Sequence, residues 1–569
     1  MRFRNWNIRG FDRDKAEEFY HSGVNPLVSV LLVSREITDI GDVQTIIGED
    51  PAVFYDPFLM ADMSKAVTRI KKAVDTGERI AIYGDYDVDG MTSCAVLALW
   101  LRSKGADFSI YIPGRFDEGY GLNIAALDEL KRSGVTLVVT VDCGITALEE
   151  ARHAEAIGLD LVITDHHECR DTLPEACAVI DPKRPDCNYP YKSLAGVGVA
   201  FKLVNALEDD YLSDDMFKQY SELVAIGTVA DVMPVMGENR ELIKRGLNIL
   251  NSDPRPGLRR LLKEVNTDLG KVTATTIGFS IAPRLNAAGR MGNSILSVDL
   301  LLTEDFEESD ALTVELCSLN TERRNMEQRI LEEATAMLTE EDTDRPIVLA
   351  NHDWYQGVTG IVAAKIAERY QLPTIIISID DDGIGRGSCR SYGKFPIYDA
   401  LCACEGILDN YGGHEMAAGV TVAEDKIEEL RKHILDYYHD FYKNSSDSRP
   451  GSELILDFEV TKPELLALDN IKALEQLEPF GNKNPSPRLS MTNAVVLSTF
   501  SIGSGQHSRI KVDKSGTPLD CIFFSVSVED LGVKEGSIVD IAFEPQVNEF
   551  KGRSSVQLQL LDIRESEPV

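Results

Sequence analysis

Three short apolar runs, each followed at once by an aspartate, constrain this chain more than any other feature. Arg79-Ile80-Ala81-Ile82-Tyr83-Gly84 leads into Asp85, residues 136–141 lead into Asp142, and residues 159–164 into Asp165. Near-continuous apolar runs separated by helical stretches (92–104 and 147–158) read as strands of a parallel, doubly wound sheet, buried on both faces. Ligands bind such a sheet at the carboxyl ends of its strands. The fold class alone therefore places three carboxylates on a binding edge.

The rest of the chain divides by pattern. Residues 304–344 carry 14 acidic and three basic side chains, with Leu312, Leu316, Leu319, Met326, Ile330 and Met337 at helical spacing. That predicts a long solvated helix with one apolar stripe. The α/β pattern resumes with strands at 347–350 and 374–378 and a helix at 360–370, and 443–451 reads as a linker. Beyond it the period changes to two, with strands at 453–460, 488–499, 508–512, 519–526, 537–543 and 555–564, which suits a small β-barrel of the OB type. The expected division is an N-terminal segment 1–48, an α/β domain 49–303, a connecting helix 304–344, a second α/β domain 345–442 and a barrel 452–566. At roughly 100–200 residues per domain, 569 residues agree with this number of pieces.

Composition excludes several classes. With 58 Lys+Arg against 93 Asp+Glu the net charge is −35, which argues against a passive nucleic-acid coat and leaves room for a local basic groove. No run approaches the ~18–20 apolar residues of a membrane span, and the N-terminus lacks an apolar signal core, so the expected location is the cytoplasm. The ten cysteines have no ligand spacing and read as reduced thiols. No P-loop is present.

The chemistry concentrates in four places. Asp85-Tyr86-Asp87-Val88-Asp89-Gly90 sets three carboxylates in five residues; Asp142 ends the next strand; Asp165-His166-His167 ends a third; Asp231 follows another apolar segment. An EF-hand beginning at Asp85 needs a glutamate where Val96 stands, and a helix before the loop. Each acid alone could cap a helix. Together, carboxylates converging on one sheet edge repel one another without a cation. Oxygen ligands with one imidazole suit Mg²⁺ or Mn²⁺ better than zinc, and a pair of such ions serves phosphoester hydrolysis.

In their order these motifs resemble those of the DHH phosphoesterases. Pro283–Arg290, Gly387-Ser388-Cys389-Arg390-Ser391, Gly412-Gly413-His414 and Leu477-Glu478-Pro479-Phe480-Gly481 are similar to a branch of that family that degrades single strands, a likeness running from about residue 50 to 566. The resemblance implies two α/β domains, DHH and DHH-associated, joined by a long helix and followed by an OB-like barrel. It implies 5′-to-3′ hydrolysis of single-stranded DNA to mononucleotides, in recombination and repair, with two Mn²⁺ or Mg²⁺ ions. Asp142, Asp165 and His167 would be catalytic, His167 facing the scissile phosphate. Asp87 and Asp142 would hold the first ion, with Asp142 bridging, and Asp89, His166 and Asp231 the second. Related enzymes often carry a histidine where this chain has Tyr83, and Asp85 would complete the first ligand set instead. Arg115, Asn286, Arg290, Ser388, Arg390 and His414 would bind substrate. Phe500, Phe523, Phe524, Phe543 and Phe550 are candidates to stack on bases, with only one or two expected on the binding face. The resemblance further implies a monomer away from membranes, with a single-strand-binding protein and a DNA helicase as partners. A phosphodiesterase of short oligonucleotides or cyclic dinucleotides is the alternative, and a non-catalytic replication scaffold a third reading.

Overall fold

A computed structural model describes the chain except residues 1–2, 4, 49–53, 116–118, 120, 209–211, 340–343, 445–452, 504, 551 and 567–569, and except the side chains of 45, 444 and 550. The 443–451 linker therefore lies almost wholly outside the described residues. The chain forms two compact units: Ala52–Ser448 with Gly481–Asn484, and Met1–Pro51 with Arg449–Phe480 and Pro485–Val569. Among the described residues no helix is long and apolar enough to cross a membrane.

The first strand, β1 (Asn5–Ile8), belongs to the smaller unit. The larger unit opens with β2 (Ile80–Tyr83), β3 (Phe108–Tyr111), β4 (Leu137–Thr140), β5 (Asp160–Thr164) and β6 (Ala178–Ile180), a parallel sheet in the order β3-β2-β4-β5-β6. Its apolar runs are continuous because both faces are buried. Ile80, Ile82, Leu137, Val139 and Val162 enter one core, while Ala81, Tyr83, Val138, Leu161 and Ile163 enter another on the opposite face. The chain moves from β2 to β3 on one side and then to β4 on the other, so the crevice between β2 and β4 is the topological switch point where such sheets bind ligands. Asp85 and Asp142 lie two residues beyond those strands, one residue further out than the sequence predicts, and Asp165 follows β5 directly. Among the described residues from 196 to 302 every secondary-structure element is a helix, with no strand between them.

A 32-residue helix, Phe306–Met337, leads to the second α/β domain. Its stripe differs from expectation. Leu316 and Ile330 are buried, but Met337 is 43% exposed, and Asn320, Arg323 and Glu327 occupy the middle of the buried face. Arg323 donates to Glu327 (2.5 Å) and to Asn320 Oδ1 (3.0 Å), and Lys365 also reaches Glu327. Polar side chains repeat here at the spacing of an apolar stripe because they hydrogen-bond to one another, which a count of leucines does not see. The second domain is a five-stranded sheet, β7 (Ile347–Asn351), β8 (Thr374–Ile379), β9 (Ile384–Arg390), β10 (Asn410–His414) and β11 (Ala417–Ala423), in the order β10-β11-β9-β8-β7. Its helix Gln356–Tyr370 starts four residues earlier than predicted, and β9–β11 went unread because glycines interrupt their alternation.

In the smaller unit β14 (Leu489–Ile502), β15 (His507–Lys514), β16 (Thr517–Phe523), β17 (Ile538–Phe550) and β18 (Arg553–Glu565) run in the order β14-β15-β16-β18-β17, and β17 pairs back to β14. That is a closed five-stranded OB barrel. The predicted strand 453–460 is not part of it: β12 (Glu453–Leu456) pairs in parallel with β1, and β13 (Phe458–Glu459) flanks β14. The 1–48 segment has no core of its own. Phe19, Leu27 and Leu31 share one with Phe458, Leu474 and Phe543, and Arg35 grips Asp457 through Nε (2.9 Å) and Nη2 (3.0 Å).

Candidate metal centre and substrate cleft

The loop after β2 turns directly into the helix Val88–Ser103, and this turn fixes two of its carboxylates. Asp87 caps the helix, accepting from Gly90 N (3.0 Å). Asp89, within the first turn, accepts from the backbone N–H groups of Gly196 (2.6 Å) and Val197 (2.8 Å), the first residues of another helix. Asp142 has φ 63, a left-handed conformation that aspartate tolerates better than most side chains. Asp165 accepts from Ile145 N (2.9 Å), His166 N (2.7 Å) and His167 Nδ1 (2.7 Å). Asp231 closes the helix Asp214–Ala230.

These side chains meet in three overlapping groups that could hold metal: Asp85, Asp87 and Asp142; Asp89, His166 and Asp231; and Asp142, His166 and His167, each with ligand atoms within 4.8 Å of one another. Among the described residues Asp165 joins none of them, since its oxygens serve backbone N–H groups and the His167 ring. Burial, then neighbouring carboxylates, push Asp85, Asp89 and Asp142 well above the usual carboxylate range, and burial followed by Asp87 pushes Asp231 up to about 7. Burial and His167 bring His166 down to about 3. His167 goes the other way: burial opposes it, but the Asp165 carboxylate raises it to about 9. Asp85 Oδ1, Asp142 Oδ1 and His166 Nε2 are buried without a hydrogen-bond partner. Crowded carboxylates with orphaned lone pairs fit a hard divalent cation such as Mn²⁺ or Mg²⁺. Cys94 and Cys143 lie buried nearby, where burial pushes both thiols up, and among the described residues neither joins these groups.

Tyr83 stands apart from this chemistry. Its ring stacks on Tyr111 (5.2 Å) in the core on the opposite face, and its hydroxyl donates to Gly121 O (3.0 Å). The first group contains Asp85 in its place.

Beside the metal groups lies a cleft of about 830 Å³ between the two α/β domains of this unit. Tyr86, which separates Asp85 from Asp87, lines it, and so do Arg115, Arg170, Arg290, Arg386 and Arg390, with Ser388 between the last two; among the described residues no acidic one lines it. Arg115 lies over the Tyr86 ring (4.6 Å), and Arg290 donates to Gly357 O (3.1 Å). Burial, then Arg115, Arg323 and Arg390, bring Arg290 down to about 10. Arginines thus line the cleft where carboxylates line the neighbouring groups.

Of the predicted substrate residues, Arg115, Arg290, Ser388 and Arg390 line the cleft, while half-buried Asn286 and exposed His414 do not. Sequence reading missed Tyr86, Arg170, Arg386 and Tyr411. Arg386 was within reach, since Arg386, Ser388 and Arg390 alternate on β9 and must share a face. On the barrel, Phe523 and Phe543 fill the core while Phe500 (58%) and Phe524 (43%) are exposed, and the Phe550 side chain lies outside the described residues.

Glycine at 196 is required by close approach. A Cβ there would stand 2.6 Å from the Asp142 Cβ, so Gly196→Ala must displace that carboxylate. We expect at least a tenfold loss of turnover at saturating Mn²⁺ with the fold retained; a wild-type rate would show that Asp142 need not hold its place.

The fold and the site together define a phosphoesterase of the DHH class: the DHH family, N-terminal domain model matches residues 79–228 and the DHHA1 domain model residues 344–440. The RecJ OB domain model matches 456–562. The single-stranded-DNA-specific exonuclease RecJ of Bacillus subtilis (strain 168) is 39% identical over 566 residues, covering 99% of this chain and 71% of that protein. Its counterpart in Escherichia coli (strain K12) is 34% identical, covering 88% and 89%. The crystal structure of RecJ in complex with Mn²⁺ from Thermus thermophilus superposes with a TM-score of 0.85 at 28% identity, covering 99% of this chain and 80% of that one. The chain belongs to the RecJ family.

Proposed function

We propose that the protein is a metal-dependent exonuclease that hydrolyses single-stranded DNA from its 5′ end to mononucleotides in recombination and repair. The observation that carries this is the junction at Tyr86, where a buried carboxylate cluster adjoins a cleft lined by arginines. Asp85, Asp87 and Asp142 would hold one ion and Asp89, His166 and Asp231 the other, with Asp142 common to both. Bound there, Mn²⁺ or Mg²⁺ supplies an activated water and neutralises charge developing on the phosphate. Asp165 orients the His167 ring and keeps it cationic at neutral pH, setting a positive charge beside the scissile phosphate. The arginines and Ser388 grip the terminal 5′-phosphate and so align the adjacent bond. On the barrel, Phe500 and Phe524 stack bases, with Arg509 opposite Phe500 in the strand register and His507 against Phe524 (5.4 Å). Family membership supports action as a cytoplasmic monomer alongside a single-strand-binding protein and a helicase.

The test uses 5′- and 3′-labelled single strands with and without Mn²⁺. Metal-dependent release of the 5′ label as mononucleotide is expected; hydrolysis confined to the shortest strands would favour an oligonucleotide phosphodiesterase. Arg290→Ala and Arg390→Ala should each raise KM with little change in kcat, costing about 1–3 kcal/mol as a lost charge-assisted contact. Normal strand binding without turnover would instead place these arginines at the transition state.

A further inference from the structure

Asp231 is the outlier of its group, with a side chain 28% exposed against 1% for Asp89 and 5% for His166. Its backbone is also awkward. Val232, directly after it, has φ 55, while Val232 N donates to Val229 O (3.2 Å) and Met233 N to Thr228 O (3.2 Å). This is the helix ending that normally places glycine at the left-handed position. A β-branched residue is strained there and needs support from its surroundings.

The support comes from a segment 250 residues away in sequence. Asn482 Nδ2 donates to Val232 O (2.7 Å), and Asn482 O accepts from Val235 N (2.8 Å), so one residue holds both ends of the turn. Gly481 and Asn484 close the segment on itself through two backbone hydrogen bonds (2.8 and 3.1 Å). Gly481 leaves no slack, for a Cβ on it would stand 2.6 Å from Val235 Cγ2. Asn482 itself is exposed, so this clasp adds little to the core. Gly481–Asn484 belongs with the catalytic unit, unlike the residues on either side of it.

We propose that Asn482 is a positioning residue for metal binding: by holding the strained Val232–Val235 turn it sets where the Asp231 carboxylate stands relative to Asp89 and His166. This rests on Asp231 being a metal ligand, as proposed above. Residues that orient a ligand without touching the metal commonly change its affinity 10–100-fold.

Mn²⁺ binding to the full-length protein, measured by isothermal titration calorimetry, tests it. Asn482→Ala and Gly481→Ala should each weaken one binding event about tenfold and leave the other unchanged, whereas Lys483→Ala, on the same loop, should bind as wild type. Val232→Gly in the Asn482→Ala background should recover most of the lost affinity, because glycine needs no clasp at that position. Wild-type affinity in Asn482→Ala, equal weakening of both events, or no recovery with Val232→Gly would overturn the proposal. Asp231→Asn separates it from the reading beneath: unchanged binding in that variant removes Asp231 from the ligands, while loss of one event there with none in Asn482→Ala refutes the clasp alone.

Discussion

Asp142→Asn should lower the rate of strand hydrolysis by roughly a thousandfold or more, about 4 kcal/mol in the activation barrier, while the protein stays folded. Asp142 is the residue shared by the Asp85–Asp87 group and the histidine group, so under the proposed ligand sets its loss would weaken both ions together. Asparagine is the informative replacement, because it keeps the shape of the side chain and tolerates φ 63. Stability separates the chemistry from the fold. A carboxyl whose folded pKa lies above its unfolded value contributes stability at low pH and loses it as pH rises, so at pH 7 the metal-free wild type bears a cost that the neutral amide does not. The metal-free variant should therefore melt at or above the wild-type temperature. Wild type should gain stability with Mn²⁺, about 2.7 kcal/mol at a hundredfold excess over Kd, and the variant should gain far less. A variant rate above one tenth of wild type at saturating Mn²⁺ would remove Asp142 from the shared position.

A chain comprising residues 52–448 should keep hydrolysis of short strands and lose most of its affinity for long ones. The proposed metal ligands and the cleft arginines all lie within it. Two exposed phenylalanines lost with the barrel correspond to roughly 2–6 kcal/mol of stacking, or about 30- to 10⁴-fold in KM on long strands, and the salt dependence of binding should become shallower. The cut at the N-terminus matters as much as the one at the C-terminus. A chain of residues 1–448 would leave Phe19, Leu27 and Leu31 without the barrel residues that complete their core, and we expect it to aggregate. The shorter chain also lacks Asn482 and should be assayed at saturating Mn²⁺. KM values on short and long strands at two salt concentrations decide the matter; equal weakening on both lengths would give the barrel a structural role instead.

What was legible in the sequence depends on how far apart in the chain the partners lie. Asp85, Asp142 and Asp165 announce themselves because each terminates an apolar run that two cores make continuous. Arg386 was legible in principle, through its alternation with Ser388 and Arg390. Arg170 and Tyr86 were not, since nothing local distinguishes a cleft arginine or tyrosine from a surface one. The partnership of residues 1–48 with the barrel leaves no local trace either, as Arg35 and Asp457 are 422 residues apart. The connecting helix misled for another reason: Asn320, Arg323 and Glu327 are buried as a hydrogen-bonded network, and periodicity arguments count only apolar side chains.

The smaller unit, built from both ends of the chain, has a consequence for synthesis. Its first helices, including the almost wholly apolar Pro26–Ser34, leave the ribosome long before β18 (Arg553–Glu565) exists. At about 5–20 residues per second that interval is roughly 30–100 s. During this time the N-terminal helices have no native partner, and a chaperone that shields apolar helices should be found on the nascent chain. The catalytic unit, apart from Gly481–Asn484, emerges complete in the meantime. A growing chain therefore owns its chemistry before it owns its grip on long strands.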